Sequence, residues 1–175
     1  MTEELYPNLV DRFIDYVKIN TQSNENSTTI PSDPKEVAFL KDLAAELKTI
    51  GLENVRTMPD GYVFAELASN IAKEVPTIGF ISHVDTADFN SENVQPQFVT
   101  DYDGQSEIKL NDDYSLTTAD FPSLKKYAGH TLITSDGTTL LGADDKAGVA
   151  EIVSAAEHFI AHPELEHGKL VFAFG

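Results

Sequence analysis

The chain has 175 residues, with 12 Lys and Arg against 29 Asp and Glu, a net charge of −17, and no cysteine or tryptophan. That length suits one domain or a large part of a longer chain. The charge repels DNA, RNA and acidic lipid surfaces, and the lack of cysteine excludes disulfides, thiolate zinc sites and a thiol nucleophile. Hydrophobic residues at 41% suffice for a packed core. The opening segment has neither the basic nor the apolar region of a secretory signal, and nothing approaches the roughly 18 apolar residues of a membrane span. A cytoplasmic protein with no nucleic-acid or membrane partner is expected.

Leu5, Leu9, Phe13, Tyr16 and Val17 fall on one helical face and predict a helix over 3–19. The polar stretch TQSNENSTTIPSDP that follows reads as a mobile loop. Asp33 then stands as an N-cap, with Pro34 at the first helical position and Glu36 three residues after the cap. Val37, Leu40, Leu43, Ala44, Leu47 and Ile50 form a stripe that Gly51 terminates. Val55–Met58 and Tyr62–Leu67, separated by Pro59-Asp60-Gly61, predict a hairpin, and Thr77–Ser82 a buried strand. Between Asp88 and Tyr127 the pattern weakens, with a short strand expected at Glu107–Leu110. A turn at Gly142 leads into a buried helix ending before Pro163, and Lys169–Phe174 reads as a central strand. Helices alternating with short apolar strands indicate an α/β sandwich with a mostly parallel sheet, whose ligands gather at the carboxyl ends of strands.

Two clusters lie at such ends. His83 and Asp85 follow the Thr77–Ser82 run, and residues two apart in extended backbone project to the same side. The pair suits a metal-ligating histidine tuned by a carboxylate, or a general base held by an acid. On the triplet alone, a histidine satisfied by a local hydrogen bond is the commoner outcome. The second cluster is Gly142-Ala143-Asp144-Asp145-Lys146-Ala147-Gly148 at a helix start. Asp145 suits a cap complementing the helix dipole. Asp144, between a glycine turn and an apolar helix, is expected to be costly unless a cation meets it. A divalent metal is one such cation, and Lys146 is its main competitor. His158 and His162 stand four apart, but no Glu is arranged as in H-E-x-x-H; with His130 and His167 they are assigned no site.

GFISHVDTAD at 79–88, DYDG at 101–104 and HTLITSDGTTLLGADDKAGVAEI at 130–152 together resemble the peptidase T (tripeptide aminopeptidase) branch of the M20 family of dinuclear zinc peptidases, along the whole chain. The resemblance implies a three-layer α/β/α zinc-peptidase-like domain with a mostly parallel or mixed sheet. Residues 1–175 would be the N-terminal portion of its catalytic domain, without the remainder or the lid-like dimerisation domain. It implies that His83 binds one Zn2+, that Asp85 orients the site and is counted as catalytic, and that Asp144 bridges two Zn2+. The implied substrates are tripeptides. The family's Glu-Glu pair, whose first member is the general base, and its later acidic and histidine ligands have no counterpart in these residues. The chain alone is therefore expected to be inactive. The alternatives are a non-catalytic module that keeps the fold, and another M20 hydrolase such as a dipeptidase or carboxypeptidase.

Overall fold

The computed structural model describes residues 5–175. Its first regular helix, α1, spans Leu9–Val17. The sequence predicted one helix over 3–19; positions 3 and 4 lie outside the described residues, Leu5 is helical, and a turn at Pro7 and Asn8 separates it from α1.

Helix α2, Pro34–Ile50, forms as its sequence dictates. The Asp33 carboxylate accepts from the Lys35 amide at 2.8 Å, Pro34 occupies the first turn, and Gly51 ends the helix in the left-handed conformation at φ 104°. Glu36 differs from the simple capping box: it accepts from the Ser32 hydroxyl at 2.6 Å and the Ser32 amide at 3.3 Å. Leu40, Leu43, Ala44 and Leu47 are buried, while Val37, expected in the stripe, is exposed.

Strands β1 (Glu53–Thr57) and β2 (Val63–Leu67) form the expected antiparallel hairpin. Strand β3 is Ile78–Ser82. The excursion that follows holds four short strands: β4 (Gln97–Val99), β5 (Ile108–Lys109), β6 (Ser115–Leu116) and β7 (Leu132–Thr134), with a 3-10 helix at Pro122–Tyr127. Strand β4 pairs β7, and β5 pairs β6, both antiparallel. Helix α3, Ala143–Ala161, precedes the final strand β8, Leu170–Phe174.

The main sheet has the order β1-β2-β8-β3. Strand β8 is central as expected, antiparallel to β2 and parallel to β3, so the sheet is mixed. Alternation along β2 and β8 turns Val63, Ala65, Leu170, Phe172 and Phe174 into one buried cluster with Phe13, Val17, Leu40, Leu43, Val149 and Val153 of the helices. Strand β3 departs from the buried strand predicted. It lies at the sheet edge, and Ile78, Phe80 and Ile81 are exposed although Phe80 stacks on Phe172 with ring centroids 5.8 Å apart. An apolar run reports affinity for a covered surface; it does not report whether the described residues supply the cover. No described helix is long and apolar enough to cross a membrane.

Candidate metal centre at the strand ends

The carboxyl end of β3 and the amino end of α3 meet, which joins the two sequence clusters. His83 Nε2 stands 3.0 Å from Asp144 Oδ1, across 61 residues of sequence. His83 Nδ1 lies 3.0 Å from the Asp85 carbonyl oxygen and 3.1 Å from Asp85 Oδ1. Both of those atoms only accept, so Nδ1 carries the proton and donates to Asp85. Nε2 faces the Asp144 carboxylate, to which it donates when the ring is doubly protonated. Burial pulls the imidazole pKa down, but the hydrogen bonds to Asp144 and Asp85 and their charges outweigh it and leave it raised above the ordinary 6.5.

This arrangement fits a metal in its donor chemistry. An imidazole nitrogen and a carboxylate oxygen lie 3.0 Å apart, and a second carboxylate holds the ring through its other nitrogen, as outer partners of metal-bound histidines do. The set is partial. Among the described residues no group of three or more His, Cys, Asp or Glu side chains converges. His83 and Asp144 would hold the ion, and Asp85 would hold His83.

Two expectations about Asp144 need correction. Its side chain is 96% exposed, so water solvates the carboxylate and no buried anion demands a cation. The apolar helix beneath it misled the reading, because Asp144 and Asp145 have non-helical φ/ψ and lie outside the packed helix. Lys146 also turns away from both aspartates. It is 1% exposed, its Nζ donates to the Ile19 carbonyl at 2.5 Å and sits 5.9 Å from the Phe39 ring centroid, and burial pushes its pKa down to about 8.

Asp145 takes the capping role expected of it. Its Oδ1 accepts from the Gly148 amide at 3.2 Å, while Oδ2 accepts from the Ser82 hydroxyl at 2.7 Å. A side chain at Gly148 would put its Cβ 2.4 Å from Asp145 Oδ1, which explains why glycine stands there. The remaining histidines form no such centre: His162 Nδ1 lies 3.0 Å from Glu164, and His167 Nδ1 donates to the Gly168 carbonyl at 2.8 Å.

Sequence reasoning missed Thr21 and Ser82. Thr21 fell inside a stretch read as a mobile loop, yet it is 0% exposed and its hydroxyl donates to the Val84 carbonyl at 2.7 Å. Ser82 closed an apolar run and carried no signal of its own. Their partners lie 63 residues away in each case, beyond the reach of local pattern.

No family model matches the chain. It is 59% identical over 177 residues to peptidase T of Limosilactobacillus fermentum, an alignment that covers all of this chain and 43% of that protein. In structure it is similar to aminopeptidase PepT from Bacillus cereus, at TM-score 0.62 and 23% identity, with 97% of this chain and 36% of that one covered. A tripeptidase from Staphylococcus aureus gives TM-score 0.61 at 22% identity and the same coverage. A Bacillus subtilis protein described as a dinuclear metal binding peptidase from the M20 family gives 0.50 at 16%, with 98% and 35% covered. The chain thus spans less than half the length of the proteins it matches. Across the whole of its own length, the chain is similar to part of peptidase T.

Proposed function

We propose that these residues form part of the catalytic domain of a metal-dependent aminopeptidase that releases the N-terminal residue of tripeptides. The observation that carries the reading is His83 held between Asp85 and Asp144, with Nε2 and Asp144 Oδ1 3.0 Å apart. The identity to peptidase T and the described dinuclear metal binding of the Bacillus subtilis protein support it.

His83 would bind a divalent ion, zinc by its nitrogen and carboxylate donors, through Nε2. Asp144, whose side chain is 96% exposed, would be the second ligand of the centre. Asp85 keeps the proton on Nδ1, fixes the ring plane and makes the imidazole a better donor. The chemistry an ion held there would supply is Lewis-acid polarisation of the scissile carbonyl and of a water. The 29 acidic residues favour a peptide with a free α-ammonium group over an acylated one. The lid domain and homodimer implied by the family, and a cytoplasmic location, belong to the same proposal.

The test uses the polypeptide encoded by the whole reading frame that carries these residues. Stripped of metal and reloaded with zinc, it is expected to hydrolyse tripeptides and to leave dipeptides and N-acetylated tripeptides largely intact. H83A and D144N are each expected to lower kcat/KM by at least about a hundredfold. Equal turnover of free and acetylated peptides would remove the ammonium preference. Turnover unaffected by both substitutions would remove the site.

A further inference from the structure

His83 and Asp85 sit just past the end of β3, so the path of their loop depends on what pins it. Val84, between them, is pinned on both sides. Its N–H donates to the Gly175 carbonyl at 2.9 Å, and its C=O accepts from the Thr21 hydroxyl at 2.7 Å. The two peptide planes flanking Val84 are thereby fixed, and with them the directions in which His83 and Asp85 leave the backbone.

Thr21 belongs to a short strap. The Thr86 amide donates to the Thr21 carbonyl at 3.0 Å, the Ser23 amide donates to the Thr86 carbonyl at 2.9 Å, and Gln22 pairs with Thr86 in a parallel bridge. Lys146 holds the strap at its start through the Ile19 carbonyl. Among the described residues its ammonium meets no carboxylate; a buried ammonium of that kind is a costly group, and a methionine would fill the same space without that cost. What Lys146 supplies in return is the tie from Ile19 to the segment that carries Asp144, two residues earlier.

We propose that Thr21 and Lys146 are positioning residues for the His83, Asp85 and Asp144 cluster. Thr21 sets the Val84 peptide between His83 and Asp85, and Lys146 fastens the strap that carries Thr21 to the start of α3. The proposal rests on the metal-centre reading above and adds to it residues that touch neither metal nor substrate.

The test measures zinc affinity of the metal-stripped full-length polypeptide by competition with a chromogenic chelator, with circular dichroism and thermal unfolding as controls. T21V and K146M are expected to keep the fold and to weaken zinc binding about 10- to 100-fold, and T21S to restore wild-type affinity. A packing role gives the opposite order, because valine keeps the shape of threonine and serine loses its methyl. Wild-type affinity in T21V and K146M, or T21S weaker than T21V, overturns the proposal. H83A and D144N separate it from its premise. If they bind zinc like the wild type, the metal centre itself fails; if they lose zinc while T21V and K146M keep it, only the positioning role fails. Should T21V not fold, K146M decides by the same criterion, since it removes a buried charge and leaves no cavity.

Discussion

Ser82 and Asp145 clasp the end of β3 to the start of α3: the serine hydroxyl reaches Asp145 Oδ2 at 2.7 Å and the Asp145 carbonyl at 3.0 Å. Ser82 precedes His83 and Asp145 follows Asp144, so this clasp sets the distance between the two candidate ligands. Replacing Ser82 with alanine leaves the Gly148 amide on Asp145 and removes only the clasp. We expect a loss of about 2 kcal/mol in folding stability, the usual worth of a hydrogen bond to a charged acceptor, measured by urea unfolding.

Gly148 is bound to the same carboxylate. An alanine in the middle of a helix normally gains about 1 kcal/mol over glycine. Here its methyl would meet Asp145 Oδ1 at 2.4 Å, so G148A is expected to destabilise by about 1–3 kcal/mol. In a D145A background the clash is gone and the same substitution should stabilise. A double-mutant cycle that shows no change of sign would disprove the conflict.

Arg12 ties three helices together. Its Nε donates to Glu46 at 2.8 Å, one terminal nitrogen to Ser154 at 2.6 Å and the other to Glu157 at 3.1 Å, while the Tyr16 hydroxyl donates to Glu46 at 2.6 Å. R12A leaves the carboxylates without their buried cation and is expected to cost about 3 kcal/mol. Burial first, and then the bond to Glu46, raise the Tyr16 pKa well above its ordinary 10.0. A raised folded-state pKa contributes stability that is complete below the unfolded value and fades as pH climbs through the folded one. Wild-type stability should therefore fall above about pH 10, and Y16F should flatten that part of the profile. Equal alkaline slopes in the two proteins would count against this.

The edge strand β3 presents Ile78, Phe80 and Ile81, with Ile81 74% exposed. An uncovered apolar edge templates association. The 175-residue polypeptide alone should bind anilinonaphthalene sulfonate and self-associate with rising concentration. I81K should reduce both while changing stability by no more than about 0.5 kcal/mol, as expected of a surface position. Sedimentation velocity on the two proteins makes the comparison.

Local chemistry carried much of the fold into view. The Asp33 cap, the Pro34 first turn and the Gly51 stop marked α2 because each acts within one helical turn. The pairing of His83 with Asp85 was visible for the same reason, since strand geometry alone puts them on one side. What escaped depends on distance along the chain. Strand β3 has the composition of a core strand, and only the sheet order shows it at an edge. Asp144 looked buried because its neighbours are apolar, and Lys146 looked like its counterion because the two are two residues apart; backbone direction at the helix start decided both otherwise. Thr21 is polar in a polar stretch, and nothing in the stretch distinguishes the residue that is fully buried.

The pairing of edge strand β3 with β8 has a kinetic side. Ile78 stands opposite Leu170, so the chain must close a very long loop, which includes α3, before that ladder forms. Such nonlocal closure is slow to nucleate. His83 and Asp144, 61 residues apart, also meet through a nonlocal contact, and the unfolded chain offers no preformed chelate. Zinc added during refolding should therefore leave the folding rate nearly unchanged and slow unfolding instead, so that metal capture follows assembly and locks it.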